Sequence, residues 1–150
     1  VDVDVQQGDG TASLLAHEPA AFTFSMPAAR NFPARKGTSD LDVPLDSGVG
    51  DGVYLERLEA TVPALIERLA PDLVIYDAGV DVHASDRLGH CALSTHGLYQ
   101  RDCSVLAAAR SRRIPVAAVI GGGYDRDLGA LCQRHAQLFQ AAVDIEDAFG

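Results

Sequence analysis

Two short runs, Leu73–Tyr76 and Val116–Ile120, are almost wholly apolar, and that continuity most constrains the fold. A strand with one solvated face alternates apolar and polar residues, whereas an unbroken apolar strand is typical of a parallel sheet buried on both faces. Helical patterns separate the runs. Residues 51–69 place Val53, Tyr54, Leu58, Val62, Leu65, Ile66 and Leu69 on one side of a helix that contains Pro63. Residues 95–112 form a second helix, with Thr95 as its expected N-cap, and residues 125–142 a third. Strand–helix alternation of this kind implies an α/β fold, a mainly parallel sheet with helices on both faces. Open sheets of this class place their ligands at the C-terminal ends of strands.

Residues 1–5 alternate Val and Asp and stop at Gly8 and Gly10, which predicts a strand feeding a loop. A short helix over 11–17 and a strand over 21–26 follow. Residues 27–52, rich in Pro, Gly, Ser and Asp, read as a long loop of the kind that is functional or mobile. The chain opens at Val1, inside a strand and without an initiator methionine, so it is expected to be a fragment or processed product. On that reading residues 1–5 present an apolar sheet edge, and the chain self-associates through it.

A length of 150 residues fits one domain. The net charge of -9 opposes direct nucleic-acid binding, which needs basic surface, but admits a positively charged substrate. Cys91, Cys103 and Cys132 form no CxxC pair and read as reduced thiols of a cytoplasmic protein. No apolar run approaches the ~18 residues of a membrane span.

Unusual residues gather in three loops. Asp2, Asp4 and Gln6 share one face of the first strand, and neighbouring carboxylates there call for a metal ion or a helix N-terminus between them. Past the strand at 72–76 lie Asp77, Asp81, His83 and Asp86, either part of a metal site or a solvated acidic turn. Gly121, Gly122 and Gly123 precede Tyr124; they allow close approach to a ligand beside a hydroxyl donor, or cradle a phosphate.

Together these motifs resemble the histone deacetylase superfamily, most closely its class IV-like and bacterial members. Asp2, Asp4, Gly8, Asp9 and Gly10 match its Asp-x-Asp-x-His-x-Gly-Asp-Gly strand, extended by Thr11 and Ala12. Ser25-Met26, Asn31-Phe32-Pro33, Arg35-Lys36 and Ser39 to Val43 resemble segments that follow it. The segment from Asp77 to Asp81, with His83, Asp86 and Leu88-Gly89, resembles the third-ligand loop, and Gly121 to Tyr124 the tyrosine turn. The resemblance implies an arginase/deacetylase-like sheet lacking its N-terminal strands, with residues 1–150 as the C-terminal portion of a single domain. It implies a zinc-dependent amidohydrolase that removes acyl groups from acetyl-lysine peptides or acetylpolyamines. Asp4, Gln6 and Asp81 would ligate the zinc, and Tyr124 would stabilise the oxyanion. Asp2 and Ser25 would hold a structural monovalent cation such as potassium.

Two departures bear on activity. Gln6 stands where the family has a histidine ligand, and Pro27 where it usually has histidine. The family's acid–base histidine pair lies upstream of the metal strand, while His17, His90, His96 and His135 match no motif histidine. The chain is therefore expected to be catalytically incomplete. The alternative is a degenerate, non-catalytic protein that keeps the fold for binding or assembly. A two-metal, arginase-like manganese hydrolase needs more Asp and His ligands than these loops display.

Overall fold

A computed structural model describes all 150 residues. In chain order the elements are α1 (Asp9–Leu15), β1 (Phe24–Ser25), β2 (Leu41–Asp42), α2 (Asp51–Leu69), β3 (Val74–Asp77), α3 (Thr95–Arg110), β4 (Val116–Val119) and α4 (Leu128–Phe149). Strand β1 pairs parallel with β2, and β3 with β4 in register Val74 to Val116 through Asp77 to Val119.

Residues 1–5 join the two pairs. Asp2 bridges Ser25 on one side and Asp77 on the other, both in parallel sense. The Asp2 amide donates to Phe24 O at 2.9 Å, and the Asp77 amide to Val1 O at 2.9 Å. The order is thus β2, β1, residues 1–5, β3, β4, all parallel, as the α/β class requires. The expected edge at residues 1–5 is corrected: this segment is the middle of the sheet, and Val3 and Val5 are fully buried. Self-association through that edge therefore has no surface to use. The sheet ends at β2 on one side and at β4 on the other, and the residues of β4 are mostly exposed.

Helices α2 and α3 pack together, and α3 packs also against α4. Tyr54 of α2 donates its hydroxyl to Val3 O at 2.9 Å, and Tyr76 of β3 donates to Asp102 of α3 at 2.6 Å. These bonds satisfy two phenols in the core and tie the helices to the sheet. The core includes Met26, Leu58, Val62, Val74, Leu98 and Val105. On the other face of β3, Leu73 and Ile75 are at least half exposed, so helical cover there is one-sided within these residues.

Local chemistry moved several boundaries. Strand 21–26 shrinks to two residues, and the predicted loop 27–52 contains β2 together with a parallel bridge from Ala28 to Leu45. The α3 cap is Ser94, whose Oγ accepts from the Gly97 amide at 3.0 Å, and not Thr95. Helix α4 begins at Leu128 under an Asp127 cap and continues to Phe149. Helix α2 runs through Pro63 as one element.

Leu58→Ala is expected to cost about 2–5 kcal/mol, the range for emptying a packed leucine site. Leu73→Ala, with its side chain half in water, should cost under about 1 kcal/mol. Urea unfolding of both variants checks this; equal losses would show that the open face is covered in solution.

Candidate metal centre

Asp4 and Asp81 approach from separate segments, one from the middle of the sheet and one from the loop after β3. Asp4 Oδ1 accepts from the Gln6 amide at 2.9 Å, and its Oδ2 from the Gly122 amide at 2.8 Å. Asp81 is fully buried, and its Oδ1 accepts from the Val5 amide at 2.8 Å. Its Oδ2 has no donor. Both Oδ2 atoms crowd Gly122, where a Cβ would overlap each of them, and a Cβ at Gly79 would overlap Asp4 Oδ2. Glycine is required at both positions for close approach.

Ionised carboxylates accept hydrogen bonds and cannot donate them. The two groups can share this space only with a proton or a cation between them. Burial first, and then the neighbouring Asp4, raises the Asp81 pKa far above the carboxylate range. An orphaned carboxylate oxygen aimed at a second carboxylate fits an oxygen-ligated divalent cation. Gln6 lies two residues after Asp4 and is half-buried, and its carboxamide makes no hydrogen bond in the chain. No three His, Cys, Asp or Glu side chains cluster in the structure.

Tyr124 follows the glycine turn, its amide donating to Asp86 Oδ2 at 2.7 Å. Burial, and then the charges of Asp4 and Asp81, raise its pKa, which keeps the phenol protonated within electrostatic reach of the pair. Gly121 lies against Asp77, and Gly123 against Val80, Leu131 and His135. The expected cation residues also meet: Ser25 Oγ donates to Asp2 Oδ2 at 3.3 Å, while Asp2 Oδ1 accepts from the Asp4 amide at 3.0 Å. Burial pushes Asp2 up to about 7.

His83 is not brought to the pair. Its Nδ1 accepts from the Ser85 amide at 3.0 Å and its Nε2 lies 3.3 Å from Thr95 Oγ1. Sequence reasoning missed Arg101 and Asp102, both buried in α3. The available signal was two adjacent opposite charges between Leu98 and Val105, on the helical face those apolar residues mark.

Residues 1–140 match the model of the histone deacetylase domain. The chain belongs to the histone deacetylase family. It is 48% identical over 145 residues to an uncharacterised protein of Picosynechococcus, covering 97% of this chain and 48% of that protein. It is 31% identical over 128 residues to histone deacetylase 2 of Arabidopsis thaliana, covering 83% of this chain and 33% of the relative. Thus it spans about half or less of the length of these relatives. The fold matches the acetylpolyamine aminohydrolase of Burkholderia pseudomallei with a TM-score of 0.81 at 20% identity, over 96% of this chain and 44% of that one. It also matches the histone deacetylase Clr3, with a TM-score of 0.78 at 21% identity, over 95% of this chain and 26% of that one.

A carboxyl whose pKa rises on folding holds its proton more tightly folded than unfolded. Stability then falls as pH climbs from the unfolded value to the folded one. For Asp2 that window runs from 3.8 to about 7, and Asp81 shifts the same way. Asp40, Asp125 and Glu146 are shifted downward and lose their contribution only below about pH 5, whereas His83 and His135, which burial shifts downward, act oppositely and regain stability as pH rises toward 6.5. In chelator and without potassium, the Tm of Asp2→Asn measured against the unaltered chain should therefore rise from pH 5 to pH 8. A difference that stays flat or falls across that range would contradict the buried acidic site.

Proposed function

We propose that this chain supplies the metal-binding and oxyanion-stabilising parts of an acyl-amine hydrolase, as the C-terminal portion of a single deacetylase domain. One observation carries the reading: Asp4 and the orphaned Asp81 oxygen converge against Gly122. Asp4, Asp81 and the Gln6 carboxamide would hold zinc, and Asp2 with Ser25 a structural potassium ion. Zinc, when bound, supplies Lewis-acid polarisation and lowers the pKa of water.

The chain's own groups divide the remaining work. Backbone amides of Val5 and Gly122 hold the two carboxylates in place. The Tyr124 hydroxyl, kept protonated, would donate to the oxyanion of the acyl group, a role worth about 3–4 kcal/mol in comparable sites. The substrates proposed are acetyl-lysine peptides or acetylpolyamines; the net charge of -9 suits a cationic carrier. The three cysteines are free and no helix is long and apolar enough to cross a membrane; a cytoplasmic setting is part of the proposal.

Gln6 favours a second reading, a binding protein that keeps the fold without turnover. An amide oxygen is a weaker zinc donor than an imidazole, which a second-shell partner can also tune. Calorimetric titration should show weak zinc binding to the chain, about 10-fold or more tighter binding by Gln6→His, and none by Asp81→Asn. Equal affinities of the chain and Gln6→His would place the Gln6 side chain away from the ion.

Turnover separates the two readings. None of the histidines makes a hydrogen bond to Asp4 or Asp81, and on this reading the chain lacks a positioned base for the site. Such a base is typically worth 10²–10⁴-fold. With zinc supplied, neither the chain nor Gln6→His should deacetylate a fluorogenic acetyl-lysine peptide above background. Turnover that disappears in Tyr124→Phe would establish the chain as an enzyme by itself and overturn the missing-base account.

A further inference from the structure

Arg101 is among the largest fully buried side chains, and it points at the backbone leading to Asp81. Its Nη1 donates to Gly79 O at 2.6 Å and its Nη2 to Ala78 O at 3.1 Å. Its Nε donates to Asp102 Oδ1 at 2.9 Å, and Nη2 lies 2.9 Å from the same oxygen. Tyr76 of β3 donates to that oxygen as well, at 2.6 Å. One planar fork therefore links α3, the end of β3 and two consecutive carbonyls just before Asp81.

We propose that Arg101 is a positioning residue for the metal centre, clamping the Ala78 and Gly79 carbonyls so that Asp81 is held against Asp4.

A buried ion pair is weak evidence for stability, since desolvation offsets most of its attraction. The arrangement makes sense through what the guanidinium fixes. Ala78 and Gly79 precede Val80, whose amide donates to Gly122 O at 2.7 Å, and Asp81, which accepts from Val5. Freezing two carbonyls thus fixes the side of the site that a Gly79 backbone, without a side chain to pack, would leave loose. Lysine cannot do this: its single Nζ can neutralise Asp102 but does not offer a rigid two-carbonyl fork. The metal arm of this inference rests on the zinc reading above, whereas the clamp itself does not.

Two measurements on the 150-residue chain test it. Arg101→Lys keeps a cation beside Asp102 and should lower zinc affinity 10–100-fold, as lost supporting contacts do at metal sites. Its Val80 and Val5 amides should exchange with deuterium at least about tenfold faster, while Ile66 in α2 is unchanged, which marks local opening. Should Arg101→Lys not fold, the double variant Arg101→Met with Asp102→Leu removes both charges and is measured the same way. Unchanged zinc affinity in a folded variant, or exchange that quickens uniformly, would overturn the assignment. So would failure of both variants to fold, which would make the pair part of the core alone. If the unaltered chain binds no zinc, the metal reading falls and the exchange pattern still decides the clamp.

Discussion

Two carboxylates in one small buried volume organise this structure. Like charges at this separation repel unless something positive or a proton lies between them. The chain brings them together from positions 4 and 81 and supports each with a backbone amide rather than a cationic side chain. Amide dipoles stabilise a carboxylate only partly, so one oxygen of Asp81 is left without a donor. The requirement spreads outward. Gly79 and Gly122 lack side chains because Asp4 and Asp81 occupy that space. Residues 1–5 must run between β1 and β3, since only there can Asp4 meet a turn 118 residues further along the chain. The parallel order of the sheet follows from the same demand.

Cationic charge enters the core at one remove. The guanidinium of Arg101 sits beneath the Asp81 loop and helps hold down the pKa of Asp77, although burial and the charge of Asp4 dominate and raise it. Asp102 takes up the remaining charge of Arg101, so that the core carries a neutral pair instead of a free cation. The Asp4 and Asp81 carboxylates are therefore left without a cationic side-chain partner. The exposed ion pair of Arg110 with Glu146, which joins α3 to α4, contributes little by comparison.

Legibility in the sequence follows the same physics. Helix α2 declared itself through seven apolar residues at helical spacing, and β3 and β4 through unbroken apolar runs. The three site loops stood out because acidic and glycine residues at strand ends are costly without a ligand. The role of residues 1–5 did not show. Their Val and Asp alternation reads as an edge strand, and no local signal tells that ladder partners lie on both sides. Strand β2 was hidden because two residues carry no period; side chains tie it in, with Asp42 accepting from Gln7 and from the Ser39 amide. Ser94 outcompeted Thr95 as cap because Asp51 fixes its amide and hydroxyl together. Arg101 and Asp102 belong to no motif, and only the neighbouring Leu98 and Val105 mark their face as inward.

Gln6 and Gln7 show how function and fold separate at adjacent positions. Their identical side chains have different surroundings, Gln7 buried and Gln6 half-buried. Gln7 is buried and makes three bonds, to Gly37 O, the Gly37 amide and Asp42 Oδ1, which fasten the loop that becomes β2. Gln6 bonds nothing through its side chain. A change at position 7 would leave buried donors and acceptors unpaired and would be felt throughout the loop. A change at position 6 leaves no such group unpaired. Position 7 is thus tied to the fold through its side chain, whereas position 6 is tied to it only through its backbone amide, which donates to Asp4.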